Sequence, residues 1–133
     1  MCEEIKKEKN LRVVLLEPGK LAKVAVIESG LKSLQKTVGG YIEAMYPFEE
    51  EVCIICNEEG KLLGLPANRA VFCDGQITDI IAGTCFICSC GEEDFGSLTE
   101  EQQQRYMKLF QYPERFLRIN GGVIAIPYNP EEG

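Results

Sequence analysis

ITDIIAGTCFICSC, from Ile77 to Cys90, is the stretch that decides the fold. It is long and largely apolar, and it is rich in Ile, Phe and Cys, as is typical of a strand covered on both faces. Gly83 in its middle predicts a bulge or a bend. We therefore predict that this run forms the central strand of a sheet.

Shorter strand signals surround this run. Pro18-Gly19 predicts a hairpin with a type II turn, and VCIIC, residues 52–56, is typical of a second covered strand. NEEGKLLGLP, residues 57–66, predicts a turn followed by another short strand. Asp74-Gly75 and Asn120-Gly121 are two-residue hairpin signals. The sequence therefore predicts a mainly antiparallel sheet.

Two helices are predicted, at about residues 30–38 and 99–112. Ser29 is expected to cap the start of the first helix, and a glycine pair after Val38 is expected to end it. In the second helix, Thr99 and Gln102 have the spacing of a capping box. Two helices with an antiparallel sheet define an α+β fold class.

The length and composition favour one domain. A chain of 133 residues with 45% hydrophobic residues is long enough for one core and short for two. We predict a disordered N-terminal segment at 1–10, a single α+β domain at 11–126 and a flexible tail at 127–133. An exposed sheet edge would make a homodimer feasible.

The charge and the missing segments limit the partners. A net charge of −7 counts against direct binding of nucleic acid, which depends on Lys and Arg. No apolar run approaches the roughly 20 residues that span a bilayer, and the N-terminus lacks the pattern of a signal peptide. We therefore expect a cytoplasmic protein, with no membrane association, whose seven cysteines are reduced thiols.

Histidine is absent from the chain. This excludes a Ser-His-Asp or Cys-His mechanism within one chain and every metal site that needs imidazole. The sequence also lacks the glycine patterns of dinucleotide and nucleotide loops and the spacing of a calcium loop, so we expect no cofactor. An enzyme using Glu43 and Asp79 as acid and base is an alternative, although their spacing does not favour it.

Two Cys-x-x-Cys pairs supply the four ligands of a nominal zinc site, Cys53, Cys56, Cys85 and Cys88. Both pairs lie in runs that read as strands. Cysteines three residues apart in a strand point to opposite faces, roughly 10 Å apart along the chain. We therefore expect buried cysteines that pack as small hydrophobic residues and no metal, and we keep a zinc protein as an alternative.

Asn68 and Arg69, in GLPANRA, are polar in an otherwise apolar region. One interpretation is structural: Asn68 tethers an irregular segment by backbone hydrogen bonds, and Arg69 pairs with a surface acid. The other is functional: Arg69 presents its planar fork to a carboxylate or phosphate, with Asn68, Asn57 or Tyr41 donating neutral hydrogen bonds.

Four segments taken in order, VVLLEPGK, VGGYIEAMYPF, NEEGKLLGLPANRA and DIIAGTCFICSCGEEDFGSLTEEQ, resemble a family of small uncharacterised bacterial and phage proteins, a domain of unknown function. The resemblance covers roughly residues 11–110. It implies a genetic context, since the family is frequent on mobile elements and prophages of Gram-positive bacteria, and it implies no catalytic residues. The ligand-binding candidates that lie in these segments are Tyr41, Glu43, Asn57, Asn68, Arg69 and Asp79.

These observations favour a non-enzymatic accessory protein of a mobile element. Its predicted partner is a host protein or a small anionic ligand, bound through the face that carries Asn68 and Arg69. The zinc protein and the carboxylate enzyme are the two alternatives.

Overall fold

The computed structural model describes residues 9–91 and 94–132. Within these ranges it contains ten strands and two helices, so the predicted α+β fold of mainly antiparallel sheet is confirmed. The strands are β1 (Asn10–Leu16), β2 (Lys23–Glu28), β3 (Ile42–Met45), β4 (Val52–Asn57), β5 (Ala67–Cys73), β6 (Gln76–Ala82), β7 (Cys85–Cys90), β8 (Phe95–Gly96), β9 (Glu114–Ile119) and β10 (Gly122–Pro127). The helices are α1 (Leu31–Val38) and α2 (Glu100–Leu109). No helix among the described residues is long and apolar enough to cross a membrane.

The main sheet is antiparallel and has the strand order β2-β1-β7-β4-β3, with β8 also paired to β7. The sequence correctly places the second half of the Ile77–Cys90 run at the centre. The first half is different: it is β6, which pairs with β5 in a separate sheet. Gly83, with φ +90°, therefore divides two strands and is not a bulge within one. The left-handed backbone there lets the chain leave one sheet and enter the other.

The centre of the main sheet, β4 and most of β7, is buried on both faces, as the apolar runs of these strands predict. Every residue of β4 is buried. One face packs against α1 through Leu34 and Val38. The other face packs against α2 through Tyr106 and Phe110, and against the β5–β6 sheet. The β5–β6 sheet is thereby fixed beside the end of β4.

The predicted signal is confirmed at two of the four helix ends. α1 ends at Gly39, in the left-handed conformation, and α2 begins with the Thr99 capping box. The predicted Ser29 cap is wrong, because Gly30 occupies the N-cap position without a side-chain cap, and the Ser29 amide donates to the Lys9 carbonyl. The C-terminus of α2 lies near its predicted place, at Leu109.

The hairpins predicted at Asp74-Gly75 and Asn120-Gly121 are confirmed, and β1 and β10 each extend one residue beyond the predicted domain bounds. β5–β6 and β9–β10 turn at their predicted dipeptides, with positive φ at Asp74 and Asn120. Pro127 belongs to β10, and the Tyr128 amide donates to the Pro113 carbonyl at 2.9 Å, so the chain is still bonded to the domain there. Residues 1–8 of the predicted N-terminal segment lie outside the described residues, and Asn10 already belongs to β1.

The strand predicted within residues 57–66 is wrong: 58–64 form turns, and the next strand begins at Ala67. The reason is that this segment crosses the end of β6. A methyl group on Gly60 would lie only 2.4 Å from the Ala82 carbonyl oxygen. Glycine is required there by close backbone approach, and it fixes the turn against β6.

We expect Gly60→Ala to lower the free energy of unfolding by about 1–3 kcal/mol, because backbone must move to accommodate the methyl group. Urea denaturation measures the change. Gly91→Ala is the matched control: its methyl group would meet the Asp94 carbonyl oxygen at an ordinary 3.9 Å, so we expect a change within about 0.5 kcal/mol. Equal stability of the two variants would contradict the close contact.

Glu50 fastens the loop before β4 to α2. Its Oε1 accepts from Gln102 Nε2 at 3.1 Å, and its Oε2 accepts from Tyr106 and Arg105. The hydrogen bond from Tyr106, with that from Gln102, lowers the pKa of Glu50, while burial and the same carboxylate raise the pKa of Tyr106 to about 12. The charged form of Glu50 is therefore the one that the fold favours.

A glutamate whose pKa is lowered by folding contributes stability above its unfolded pKa and loses it as the pH falls through the folded value. We expect Glu50→Gln to cost about 1 kcal/mol at neutral pH, a discounted figure because the side chain is one-third exposed. The difference from wild type should shrink as the pH falls below about 4.5. Denaturation at a series of pH values tests this, with Glu28→Gln, exposed at the end of β2, as the control for loss of one charge. A deficit that persists at low pH would contradict it.

Candidate functional site

Arg69 is fully buried, and its guanidinium donates to three groups of the protein. Nε donates to the Phe110 carbonyl at 3.2 Å, Nη1 to Asn68 Oδ1 at 2.8 Å and Nη2 to the Lys20 carbonyl at 2.9 Å. Burial lowers the pKa of Arg69, although a guanidinium stays charged in proteins. The prediction that this fork is presented to a ligand is corrected here, because the fold itself uses all three nitrogens.

Asn68 has the tethering role of the structural interpretation. Its Nδ2 donates to the Leu16 and Gly83 carbonyls, both at 2.9 Å, and its side chain is also fully buried. The charged neighbour of Arg69 is not a surface acid but half-buried Glu114, whose Oε1 accepts from the Ala70 amide at 2.8 Å. Burial raises the pKa of Glu114, and the Ala70 amide and Arg69 oppose that rise.

Asn57 and Tyr41 do not join this cluster. Asn57 is buried, donates to the Val38 carbonyl at 3.2 Å and accepts from the Glu59 amide at 2.8 Å. It therefore ties the end of α1 to the turn that follows β4. The Tyr41 side chain is exposed, and its carbonyl accepts from the Glu58 amide at 2.8 Å. Asn57 thus has a structural role, and Tyr41 lies at the surface away from Arg69's hydrogen-bond partners.

We expect Arg69→Ala to destabilise the protein by about 3 kcal/mol or more, because it leaves two carbonyls and one amide oxygen without a buried donor. Arg69→Lys should also destabilise, since one ammonium cannot reproduce the fork. Arg115→Ala is the control: that guanidinium lies over the Tyr128 ring at 4.4 Å on the surface, and its loss should cost about 1 kcal/mol or less. Thermal and urea denaturation measure both. Wild-type stability of Arg69→Ala would show that the fork is dispensable to the fold.

The sheet separates the four cysteines of the alternative zinc site into two pairs. Cys53 and Cys88 lie in the core under α1, with 3.9 Å between their Sγ atoms. Cys56 and Cys85 lie in the core on the other face. Among residues 9–91 and 94–132, no group of three or more Cys, Asp or Glu side chains is arranged to hold a metal ion. The alternating strand pleat is the physical reason why the four sulfur atoms do not converge.

Glu43 and Asp79, predicted from separate segments, line one cleft of about 260 Å³. Glu58 and Lys61, in the turn that crosses β6, complete its charged rim. The rest of the wall is mainly apolar and comprises Met45, Cys56, Leu62, Ile80, Ile81 and Ala82. The fold therefore brings three carboxylates and one ammonium around an apolar floor.

The electrostatics of this acidic cleft are dominated by carboxylates. Lys61 Nζ pairs with Asp79 Oδ1, which also accepts from the Ile80 amide at 2.8 Å. Burial raises the pKa of Cys56 to about 11, Glu43 and Asp79 add to the rise, and Lys61 opposes it. Cys56 is therefore a neutral thiol at the base of the cleft, and the carboxylates leave a net negative potential above it.

The acidic cleft continues into a second cavity of about 510 Å³. The two share Lys61, Asp79 and Ile80, and the second cavity extends to Val123 of β10. Together they form a groove along β6, which we call the acidic groove. In the part of the chain that the structure describes, β6 pairs with β5 alone, so its other edge is without a strand partner.

A separate basic cleft of about 460 Å³ lies over the segment that Asn68 tethers. Lys20 and Lys36 line it, together with Glu17, and its walls include Pro66 and Gly83. Lys20 and Gly83 contribute the backbone carbonyls that Arg69 and Asn68 hold. The buried pair thus shapes this cleft from below.

Glu58 and Lys61 are the site residues that the sequence analysis does not identify. The sequence signal that could have identified them is the charged turn NEEGK between two apolar segments. Because a strand is predicted after this turn, the sequence does not show that the turn lies close to β6. The close approach of Gly60 to Ala82 and the Lys61–Asp79 ion pair show that this turn is one wall of the groove.

The fold and the grooves define a small antiparallel α+β domain with an acidic surface groove. The chain belongs to the family described as a domain of unknown function (DUF3846), whose model matches residues 11–111. That match covers every residue that lines the acidic cleft and the basic cleft, and it ends before the β9–β10 hairpin. No curated protein and no solved structure matches the chain.

Proposed function

We propose that this chain is a non-enzymatic accessory protein of a mobile element and that its acidic groove binds an extended, basic segment of a host protein. The observation that carries the proposal is the meeting of Glu43, Glu58 and Asp79 over an apolar floor, beside the edge of β6 that has no strand partner within residues 9–91 and 94–132. The mobile-element context comes from the family resemblance in the sequence segments quoted above.

The groove chemistry suits a lysine or arginine side chain of the partner. Such a side chain has an aliphatic stem that packs on Met45, Leu62 and Ile80, and a cationic head that reaches the carboxylates. Charge-assisted hydrogen bonds between carboxylates and such cations are roughly twice as strong as neutral ones. The acidic rim therefore selects basic partners.

The open edge of β6 suits an extended backbone. Recognition by strand addition uses main-chain hydrogen bonds for affinity and pockets for alternate side chains for specificity. The acidic groove runs along this edge from Glu43 to Val123. The backbone of a bound segment would therefore pair with the strand edge, and every second side chain would point to the groove floor. The Ile80 amide already donates to the Asp79 carboxylate, so at this one position β6 has no free amide hydrogen for an added strand.

The arrangement supports binding more than carboxylate catalysis. Asp79 already pairs with Lys61 and accepts a backbone amide, and the thiol of Cys56 is buried and neutral. General acid–base work needs a group poised to exchange protons with a substrate. In recognition, Glu43 and Glu58 would take the partner's cation while Asp79 keeps Lys61.

A small anionic ligand is the second candidate, and the basic cleft favours it. Lys20 and Lys36 supply two ammonium groups there, although Glu17 lies 3.9 Å from Lys20 Nζ and competes with an anion. Because the Arg69 fork is buried, these lysines are the cations that an anion would meet. This candidate places the ligand about the β1–β2 loop and not in the acidic groove.

Peptide binding tests the main proposal. The probes are fluorescent extended peptides in which Lys or Arg alternates with Val or Thr, and matched peptides with Glu replacing the basic residue. We expect the basic peptides to bind, with a loss of about tenfold in affinity for Glu43→Gln, as one charge-assisted hydrogen bond is worth about 1.5 kcal/mol. Fluorescence anisotropy at low and physiological salt measures the dissociation constants.

The Lys61→Ala variant distinguishes the candidates by the direction in which the affinity for the basic peptide changes. Removing this ammonium frees Asp79 for the peptide cation, so binding of the basic peptide should tighten. Glu28→Gln removes a distant exposed charge and should leave it unchanged. Weaker binding of the basic peptide by Lys61→Ala would reject the acidic groove, as would equal losses of affinity in Glu28→Gln and Glu43→Gln. The anionic candidate would be supported instead if the protein binds inorganic phosphate and both Lys20→Ala and Lys36→Ala lose that binding.

A further inference from the structure

Three cysteines lie together on the face of the main sheet that packs against α1. Cys53 of β4 and Cys88 of β7 are direct cross-strand partners, and both are fully buried. Cys90 follows two residues after Cys88 on the same face, and the neighbouring Cys53 thiol adds to the rise that burial causes in the pKa of Cys90. The proposed groove uses none of these three residues.

The geometry of the Cys53–Cys88 pair meets the requirements of a disulfide. Directly opposed residues of antiparallel strands have Cα atoms about 4.5 or 5.5 Å apart, and both values fall within the roughly 4.4–6.8 Å range of disulfides. The two Sγ atoms are already 3.9 Å apart. Side-chain rotation with a small strand adjustment is therefore enough to bring the sulfur atoms into bonding distance.

Cys90 gives this pair a route to the surface. Cys53 and Cys88 have no exposed surface, whereas Cys90 is partly exposed. Burial raises the pKa of Cys90 to about 11, and the hydrogen bond with Cys88, together with burial, raises the pKa of Cys53, so all reaction proceeds through a small thiolate fraction. The reaction is slow, and it begins at the one member of the cluster that a small molecule can reach.

We propose that Cys53 and Cys88 form a reversible cross-strand disulfide, with Cys90 as the thiol that first reacts with a small-molecule disulfide. The Cys90 thiolate attacks one sulfur of oxidised glutathione, the S–S bond breaks, and one glutathione leaves and takes up a proton. Cys53 then loses its proton and attacks Cys90 Sγ, which releases the second glutathione. Cys88 in turn attacks Cys53 Sγ, which leaves the Cys53–Cys88 disulfide and returns a proton to Cys90. Overall, two cysteine thiols are oxidised and one glutathione disulfide is reduced to two thiols.

Intact mass spectrometry of the full chain treated with oxidised glutathione tests the proposal. We expect a product lighter than the reduced chain by two hydrogen atoms, which reverts with dithiothreitol. Cys53→Ala and Cys88→Ala should each abolish this loss, and Cys90→Ala should slow its appearance. Cys85→Ala, equally buried on the opposite face of β7, is the matched control and should retain it.

Fragmentation of the oxidised wild-type protein locates the bond without any variant, so the test stands even where a core substitution fails to fold. A linkage between Cys53 and Cys88 supports the proposal. A linkage that involves Cys56, Cys73 or Cys85 overturns it, as does a wild-type product that carries only glutathione adducts. Retention of the two-hydrogen loss in folded Cys53→Ala also overturns it.

Discussion

The fold depends on one buried guanidinium. A charge without access to water is tolerated only when its donors are paired, and Arg69 pairs them with the Lys20 and Phe110 carbonyls and with Asn68. These partners come from the loop after β1, the end of α2 and the start of β5. The requirement to satisfy one side chain therefore fixes three remote segments relative to one another, and Asn68 extends the network to the bend at Gly83.

The acidic groove is a consequence of that bend. Because Gly83 turns the chain out of the main sheet, β6 lies beside the end of β4 and leaves one edge without a strand partner among the described residues. Gly60 then lets the 58–64 turn press against the Ala82 carbonyl, which brings Lys61 to Asp79. Two glycines, each required by local backbone geometry, thus place charged residues from β3, the turn and β6 around one cavity.

Local signals predicted the fold where the chemistry is local. The Thr99 capping box, the Asp74-Gly75 turn and the buried run of β4 depend on residues within a few positions of one another, and all three are confirmed. The sequence could not predict that Gly83 separates two sheets, because a glycine in an apolar run is compatible both with a bulge inside one strand and with a bend between two strands. Nor could it assign Arg69, because its partners lie 41 and 49 residues away. The joint placement of Glu43 and Asp79 likewise depended on long-range packing.

The strand pleat explains how one short strand takes part in two different sites. Cys53 and Cys56 are three positions apart in β4, so the sheet directs one thiol to the α1 face and the other to the acidic groove. This alternation of side chains between the two faces keeps the four cysteines from sharing a zinc ion. It also places Cys53 beside Cys88 and leaves Cys56 on the other face, below the carboxylates. Since β4 is paired on both edges and buried on both faces, a bond between Cys53 and Cys88 would join strands that are already neighbours. Oxidation on one face would therefore leave the register that holds the acidic groove on the other face in place.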